Sequence, residues 1–473
     1  MELEQIYTGC IAEAAYYITS NGEAAIVDPL RETQPYLDRL ERDGVKLKYI
    51  FETHFHADFV SGHIDLAKKT GATIVYGPTE MKTGFEMYVG TDGEIFHIGG
   101  IQIKLIHTPG HTMESSCFLV SDEEGTEKGL ISGDTLFIGD VGRPDLAQHV
   151  ISELTQDKLA RHLYQSLRTK IMPLSDDLIV YPNHGAGSAC GKNMSKETTD
   201  TLGNQKKTNY ALNPELTENQ FVEAILSGLT APPQYFPKNV LMNIHGYASL
   251  DSILDKGNKA YSITDFELIA NETKALILDT RDPEDFAKGF LPNSINIAIN
   301  GNFAMWVGEL ILDIKQEILI VAENEEKVKE SIIRLARVGY DHAIGYLDGG
   351  FEGWKNAGKK FDIIHRINAE VLEKHYNQEK LIIIDVRKVS EFNSEHLVEA
   401  MNIPLNVLNA NLAVFPKDKP FILHCAGGYR SMIAASLLKQ KGYDNLVDVI
   451  GGFAEIKKTS IPKTNYVCPT TLL

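Results

Sequence analysis

The seven residues Thr53-His54-Phe55-His56-Ala57-Asp58-Phe59 carry two imidazoles and a carboxylate directly after the expected strand Tyr49-Ile50-Phe51-Glu52. Loops at the carboxyl ends of strands are where ligands gather in α/β sheets. His111 in Thr108-Pro109-Gly110-His111-Thr112, Asp134 in Ser132-Gly133-Asp134-Thr135 and His184 in Tyr181-Pro182-Asn183-His184 each follow an apolar run in the same way. Four strand-end loops can therefore converge on one site. Neutral imidazoles with a carboxylate suit zinc or ferrous iron, and a face of two histidines and one carboxylate with open positions is the arrangement used for non-haem iron oxygen chemistry. A single strand-end histidine is more often a packing or surface residue than a ligand, so the argument rests on the whole set.

A second segment offers sulfur chemistry. The apolar run Phe421-Ile422-Leu423-His424 leads into Cys425-Ala426-Gly427-Gly428-Tyr429-Arg430-Ser431, and a helical run, Met432-Ile433-Ala434-Ala435-Ser436-Leu437-Leu438, follows. A cysteine is thereby placed before a helix N-terminus. The glycines let backbone N–H groups turn inward, and with the helix dipole and Arg430 they suit a thiolate or a cysteine persulfide. Tyrosine and dual-specificity phosphatases use a C-x5-R loop sized for phosphate, whereas Cys425 to Arg430 is C-x4-R, and the shorter loop favours sulfur. The other four cysteines form no C-x-x-C spacing, so neither a disulfide framework nor a cysteine-based zinc site is indicated. Cys10, Cys117 and Cys468 sit in no motif and read as ordinary packing residues.

These side chains need strands to present them. From residue 2 to about 246, short β-rich runs such as Ala24-Ala25-Ile26-Val27, Ile101-Gln102-Ile103-Lys104-Leu105-Ile106 and Leu178-Ile179-Val180-Tyr181 alternate with amphipathic stretches, an order that an αββα sandwich accommodates. Residues 213–243 read as a closing helix and wrap, and the polar stretch Asp255-Lys256-Gly257-Asn258-Lys259 reads as a linker. Beyond it lies an internal repeat. Leu276-Ile277-Leu278-Asp279-Thr280-Arg281 returns as Ile382-Ile383-Ile384-Asp385-Val386-Arg387, and Gly349-Gly350-Phe351 returns as Gly451-Gly452-Phe453. Short apolar strands without alternation suit a parallel sheet covered by helices.

The expected fold is thus α/β and multidomain, with domains over residues 1–255, 256–365 and 366–473, which suits a 473-residue chain that is 43% hydrophobic and 23% charged. The N-terminus lacks a secretory signal and no run is long and apolar enough to span a bilayer, so a cytoplasmic location is expected. A net charge of −18 disfavours nucleic acid and anionic membrane as partners.

From residue 2 to about 246 the chain resembles the metallo-β-lactamase superfamily, on His54, His56, Asp58, His111, Asp134 and His184. Binuclear zinc hydrolases of that superfamily, glyoxalase II among them, use the fuller H-x-H-x-D-H motif, whose last histidine helps hold a second metal. Here that position is Phe59, although Asp58 and His184 remain. Gly139-Asp140-Val141-Gly142-Arg143-Pro144-Asp145 and Asn213-Pro214-Glu215-Leu216 look like the persulfide dioxygenase branch, whose members bind one iron. That resemblance implies one Fe(II) per chain on His54, His111 and Asp134, with His56, Asp58 and His184 in support, and zinc as the alternative. Arg143 has two readings: it pairs with a substrate carboxylate or phosphate, or it holds Asp145. Cys190, six residues beyond His184, either approaches the pocket or fills a buried gap.

Residues 368–460 resemble the rhodanese sulfurtransferases on the Cys425 loop, Asp385-Val386-Arg387 and Gly451-Gly452-Phe453, which makes Cys425 and Arg430 the catalytic candidates. The first copy departs from this pattern. Cys425 stands eighteen residues before Tyr443, and the same place before Tyr340 holds Ala322, followed by Glu323, Glu325 and Glu326, whose charge opposes a thiolate or a sulfur oxyanion. The order of a metal domain, an inactive rhodanese-like domain and an active one resembles bacterial persulfide dioxygenase–sulfurtransferases. It implies oxidation of a low-molecular-weight thiol persulfide by O2 to sulfite and free thiol, and transfer of sulfane sulfur through Cys425 to sulfite to give thiosulfate, or the reverse. Glutathione, coenzyme A, cysteine and bacillithiol persulfides are the candidate substrates, and homo-oligomers are common in enzymes of this kind. Two other readings stay open: a binuclear zinc thioester hydrolase with an appended sulfurtransferase, and a non-enzymatic persulfide sensor or sulfur carrier.

Overall fold

The computed structural model describes residues 1–146, 154–229, 231–378 and 380–468. They fall into two compact units, Met1–Ser252 with Ala336–Gly339, and Ile253–Leu335 with Tyr340–Leu473.

In the first unit, aromatic and β-branched runs form two six-stranded sheets. One runs, in spatial order, Glu2–Thr8, Glu13–Ser20, Glu23–Val27, Lys46–Phe51, Thr73–Tyr76 and Tyr88–Val89. The other runs Asp200–Thr201, Ile179–Pro182, Glu127–Gly133, Ser116–Ser121, Ile101–His107 and Ile95–Ile98. Tyr16, Ile18, Val27, Phe51 and Val75 from the first sheet meet Ile103, Leu105, Phe118, Val120 and Ile131 from the second in a shared core. On the outer face of the second sheet, Ile106, Leu119, Leu130 and Val180 pack with Ala160 and Leu163 of helix Gln156–Ser166 and Phe221 and Ile225 of helix Glu218–Leu226. Helix His63–Thr70 packs on strands Lys46–Phe51 and Thr73–Tyr76, and Tyr17 reaches from the first sheet to Asp43 at the end of helix Gln34–Asp43. The layers are therefore α, β, β, α, as the order of runs predicts.

Strand direction positions the site. Ile101–His107 and Glu127–Gly133 are each antiparallel to Ser116–Ser121, and Ile179–Pro182 is parallel to Glu127–Gly133, so the three end on one edge of their sheet. Those ends lead to His111, Asp134 and His184.

The second unit contains two five-stranded, all-parallel sheets with the same spatial order. Leu276–Asp279 pairs with Ile318–Val321 so that Asp279 faces Val321, and Ile383–Asp385 pairs with Phe421–His424 so that Asp385 faces His424. This equal register places Ala322 where the other copy has Cys425. Residues 255–257 depart from expectation: they finish helix Leu250–Gly257, not a linker. Leu250 and Ile253, one turn apart, are buried, and the acids and lysine that suggested a linker are its polar face. The described residues contain no helix long and apolar enough to cross a membrane.

Candidate functional site

His54, His111 and Asp134 come together as the strand-end argument expects. The Nε2 atoms of His54 and His111 lie 4.0 and 3.4 Å from Asp134 Oδ2. His184 Nε2 lies 3.5 Å from Asp134 Oδ1 and 3.4 Å from Asp58 Oδ2. All five side chains are buried.

Hydrogen bonds fix which ring nitrogen faces inward. The Thr53 hydroxyl donates to Asp28 at 2.9 Å, leaving its oxygen to accept from His54 Nδ1 at 3.0 Å. His111 Nδ1 donates to the Arg143 carbonyl at 2.9 Å, and His184 Nδ1 donates to the Ala12 carbonyl at 3.1 Å. Each imidazole thus turns an unprotonated Nε2 toward Asp134, the state in which histidine binds a metal. Neither Asp134 oxygen, nor His184 Nε2, has an N–H or O–H donor among the described residues. Buried polar atoms are rarely left unmatched, and three inward lone pairs around a bare carboxylate repel one another unless a cation lies between them. The donor set therefore fits a divalent metal on His54, His111 and Asp134.

His56 is held the other way round. Its Nε2 donates to Asp28 at 2.9 Å, with a Glu52 oxygen at 3.4 Å, and its Nδ1 has no hydrogen-bond partner among the described residues. Phe59 is fully buried with its ring 4.3 Å from that of His56. Asp58, His184 and Cys190 form a second group, with one ligand atom from each within 4.8 Å of the others. Cys190 is buried; burial and the nearby Asp58 and Asp134 carboxylates push its thiol well above the ordinary range. The Arg143 guanidinium grips Asp145 at 2.8 and 2.7 Å and reaches the Ala189 carbonyl at 3.3 Å.

Sequence reasoning missed Asp28, Glu52 and Glu13. Asp28, at φ 50°, accepts from Thr53 N, Thr53 Oγ1 and His56 Nε2, so one carboxylate orients two members of the motif. It directly follows strand Glu23–Val27, and the strand-end signal that found the histidines would have found it. Burial pushes the Glu52 carboxyl up to about 7. Glu13 is fully buried, and neither of its oxygens has a hydrogen-bond partner among the described residues.

The loop 134–143 closes against the ligands without spare room. A Cβ on Gly142 would fall 2.1 Å from the Asp134 carbonyl oxygen and 3.0 Å from His111 Nδ1. Gly142→Ala is expected to displace the Arg143 carbonyl that orients His111 and to lower metal affinity about 10- to 100-fold, the usual cost of losing a supporting partner. Competition with a chromophoric chelator measures it.

In the second unit, Cys425 Sγ accepts from the Gly428 amide at 3.1 Å, and Gly428 takes φ 105°, which turns that amide inward. The Phe453 and Ala454 amides hold the carbonyls of Cys425 and Ala426 at 2.7 and 3.0 Å. Arg430 makes a two-point pair with Glu391 at 2.6 and 2.8 Å. The repeated motifs are scaffolding: Arg387 pairs with Asp385 and lies 4.0 Å over the Phe453 ring, and Arg281 pairs with Asp279 and lies 4.4 Å over Phe351. In the first copy Lys327, at the place of Arg430, pairs with Glu330 at 2.7 Å.

The Metallo-beta-lactamase superfamily description matches residues 8–184, and the Rhodanese-like domain description matches residues 262–357 and 368–459. The chain is 32% identical to a solved metallo-beta-lactamase from Staphylococcus aureus subsp. aureus COL, over 73% of this chain and 98% of that one, with a TM-score of 0.64. It is 28% identical over 210 residues to Hydroxyacylglutathione hydrolase GloC of Haemophilus influenzae, covering 40% of this chain and 87% of that protein. It is 37% identical over 116 residues to a Hydroxyacylglutathione hydrolase of Pelagibacter ubique, covering 24% and 46%. With its αββα sandwich, a donor set fit for a metal and two rhodanese-like domains behind it, the chain belongs to the metallo-β-lactamase superfamily.

Proposed function

We propose that this chain is a non-haem iron dioxygenase that converts a low-molecular-weight thiol persulfide to sulfite and free thiol, coupled to sulfur transfer through Cys425. The observation that carries the reading is one chain holding both a two-histidine, one-carboxylate set and a cysteine loop with an inward amide. The first reaction balances as RSSH + O2 + H2O giving RSH + SO3²⁻ + 2H⁺. Ferrous iron on His54, His111 and Asp134 would supply positions where persulfide and O2 meet. The chain's own part is to hold His54 and His111 in one tautomer through the Thr53 hydroxyl and the Arg143 carbonyl, with His184 held in the same way by the Ala12 carbonyl. An apolar hollow lined by Phe55, Met81, Met113, Leu146 and Val240 opens beside His111 for the substrate. At the second site, the Cys425 thiolate takes the outer sulfur of a further persulfide and releases its free thiol; sulfite then attacks that sulfur, the Cys425 S–S bond breaks, the sulfur–sulfur bond of thiosulfate forms, and Cys425 returns as the thiolate while thiosulfate leaves.

A second reading has its own observation. Asp58, His184 and Cys190 gather beside Asp134, as a second metal would require, and the Haemophilus and Pelagibacter relatives are named hydroxyacylglutathione hydrolases. A binuclear zinc thioester hydrolase follows from that set. Metal analysis of protein purified without air, paired with O2 uptake on glutathione persulfide or coenzyme A persulfide, separates the two. About one iron per chain and prompt uptake supports the dioxygenase. Two zincs and no uptake overturns it in favour of the hydrolase.

A further inference from the structure

The first rhodanese-like copy has lost its cysteine yet keeps the Asp–Arg pair and the arginine-on-phenylalanine stack that frame the loop in the other copy. Nothing in the sulfur-transfer reading uses them. Their effect lies at the next segment of chain. Asn296 Nδ2 donates to the Asp279 and Arg281 carbonyls, both at 3.0 Å, which locks strand Ile295–Asn296 onto that frame. The segment that continues from it, to Gly301, meets the other copy at its cysteine loop.

Several ties cross between the copies, a hydrogen bond from Gln440 Nε2 to the Asn293 carbonyl at 3.0 Å among them. The Tyr429 hydroxyl donates to the Ala298 carbonyl at 2.7 Å. The Asn296 amide donates to Ser436 Oγ at 2.9 Å. Arg366, whose guanidinium lies beside Gly428, pairs with Glu284 at 2.7 Å and with Asp448 at 2.9 Å. Tyr429 begins helix Tyr429–Gln440 and directly follows Gly428, whose amide points at Cys425 Sγ. Every residue from Ser431 to Leu438 on that helix is buried, so it has no solvent-facing side there. The Tyr429 ring also lies against Gly301 so closely that a Cβ there would come within 2.4 Å of it.

We infer that the cysteine-free copy is a working part of the sulfur-transfer site: through Ala298 and Gly301 it fixes Tyr429, a positioning residue that sets the Gly428 amide against Cys425. This rests on the sulfur-transfer reading above. The loop is pinned on one side within its own copy, by the Phe453 and Ala454 amides, and on the other side by its sister. An anion cradle gains from donors that are already in place and need no rearrangement when charge moves onto sulfur. A loose Tyr429 would leave the Gly428 amide free to turn away. The retained frame of the first copy is explained by what it holds.

The test uses the full chain and two conservative variants on opposite sides of the contact. Tyr429→Phe keeps the ring and removes the tie to Ala298. Gly301→Ala leaves the cysteine copy unaltered and pushes the ring from outside. Each is expected to lower kcat for thiosulfate formation from glutathione persulfide and sulfite about fivefold, the scale of one lost buried hydrogen bond, with KM for sulfite and the melting temperature unchanged. Tyr429→Ala is expected to abolish the effect of Gly301→Ala, because the methyl then has nothing to push. Single variants within twofold of wild type in kcat, or additive losses in the pair, overturn the positioning role. Mass spectrometry of Cys425 after persulfide treatment separates this from the reading beneath it: a wild-type chain that never carries sulfane sulfur there sinks sulfur transfer itself, and this inference with it.

Discussion

Asp134→Ala is expected to leave a folded chain that holds little metal and consumes O2 with persulfide at below about 1% of the wild-type rate. Losing a partner that merely orients a ligand costs about 10- to 100-fold in metal affinity, and Asp134 is placed as a ligand, with Oδ2 near His54 and His111 and Oδ1 near His184. It is also the only carboxylate in the three-residue group, so its loss leaves two neutral imidazoles and removes the charge that holds a divalent cation. The fold has no comparable stake in it. Neither oxygen has an N–H or O–H donor among the described residues, so truncation breaks no such bond and relieves an unmatched buried charge. Elemental analysis, O2 electrode traces and a thermal melt read the three consequences. A variant that retains full metal and uptake would remove Asp134 from the ligand set, and with it the case for this site.

The convergence of His54, His111, Asp134 and His184 was legible because strand-end placement is a local property: an apolar run followed by a polar residue shows it in one dimension. The repeat was legible for a related reason, since the pairs that frame each loop, Asp279 with Arg281 and Asp385 with Arg387, are two residues apart. What escaped was long-range. Glu13 reads as the solvent-facing start of a strand, yet it is buried and a β-bridge joins it to His184. The partners of Arg430 and Arg143 were equally hidden: Glu391 lies 39 residues before Arg430, and whether Arg143 turns to Asp145 or to a ligand depends on a rotamer. The helix over residues 250–257 escaped because it is short and its three apolar side chains, Leu250, Ile253 and Leu254, run into the polar, glycine-ended stretch Asp255-Lys256-Gly257.

Removing the sulfur nucleophile is expected to split the two chemistries. In the proposed scheme Cys425→Ser keeps O2 uptake on persulfide within about twofold of wild type and lowers thiosulfate formation by about four orders of magnitude or more, because a hydroxyl cannot carry sulfane sulfur and no second group replaces a lost nucleophile. The packing change is small. Cys425 is buried, serine is slightly smaller, and the Gly428 amide that now donates to Sγ finds an oxygen in nearly the same place. Sulfite should therefore accumulate as the end product, in an amount matching the O2 consumed. The metal set, the Thr53–Asp28 orienting pair and the Arg143 carbonyl all belong to the first unit, and the cysteine loop belongs to the second. Loss of O2 uptake along with thiosulfate would mean that persulfide reaches the metal only by way of Cys425. The loop would then be the entry point of a single pathway, and the sulfane sulfur that leaves as sulfite would first have been carried on the cysteine.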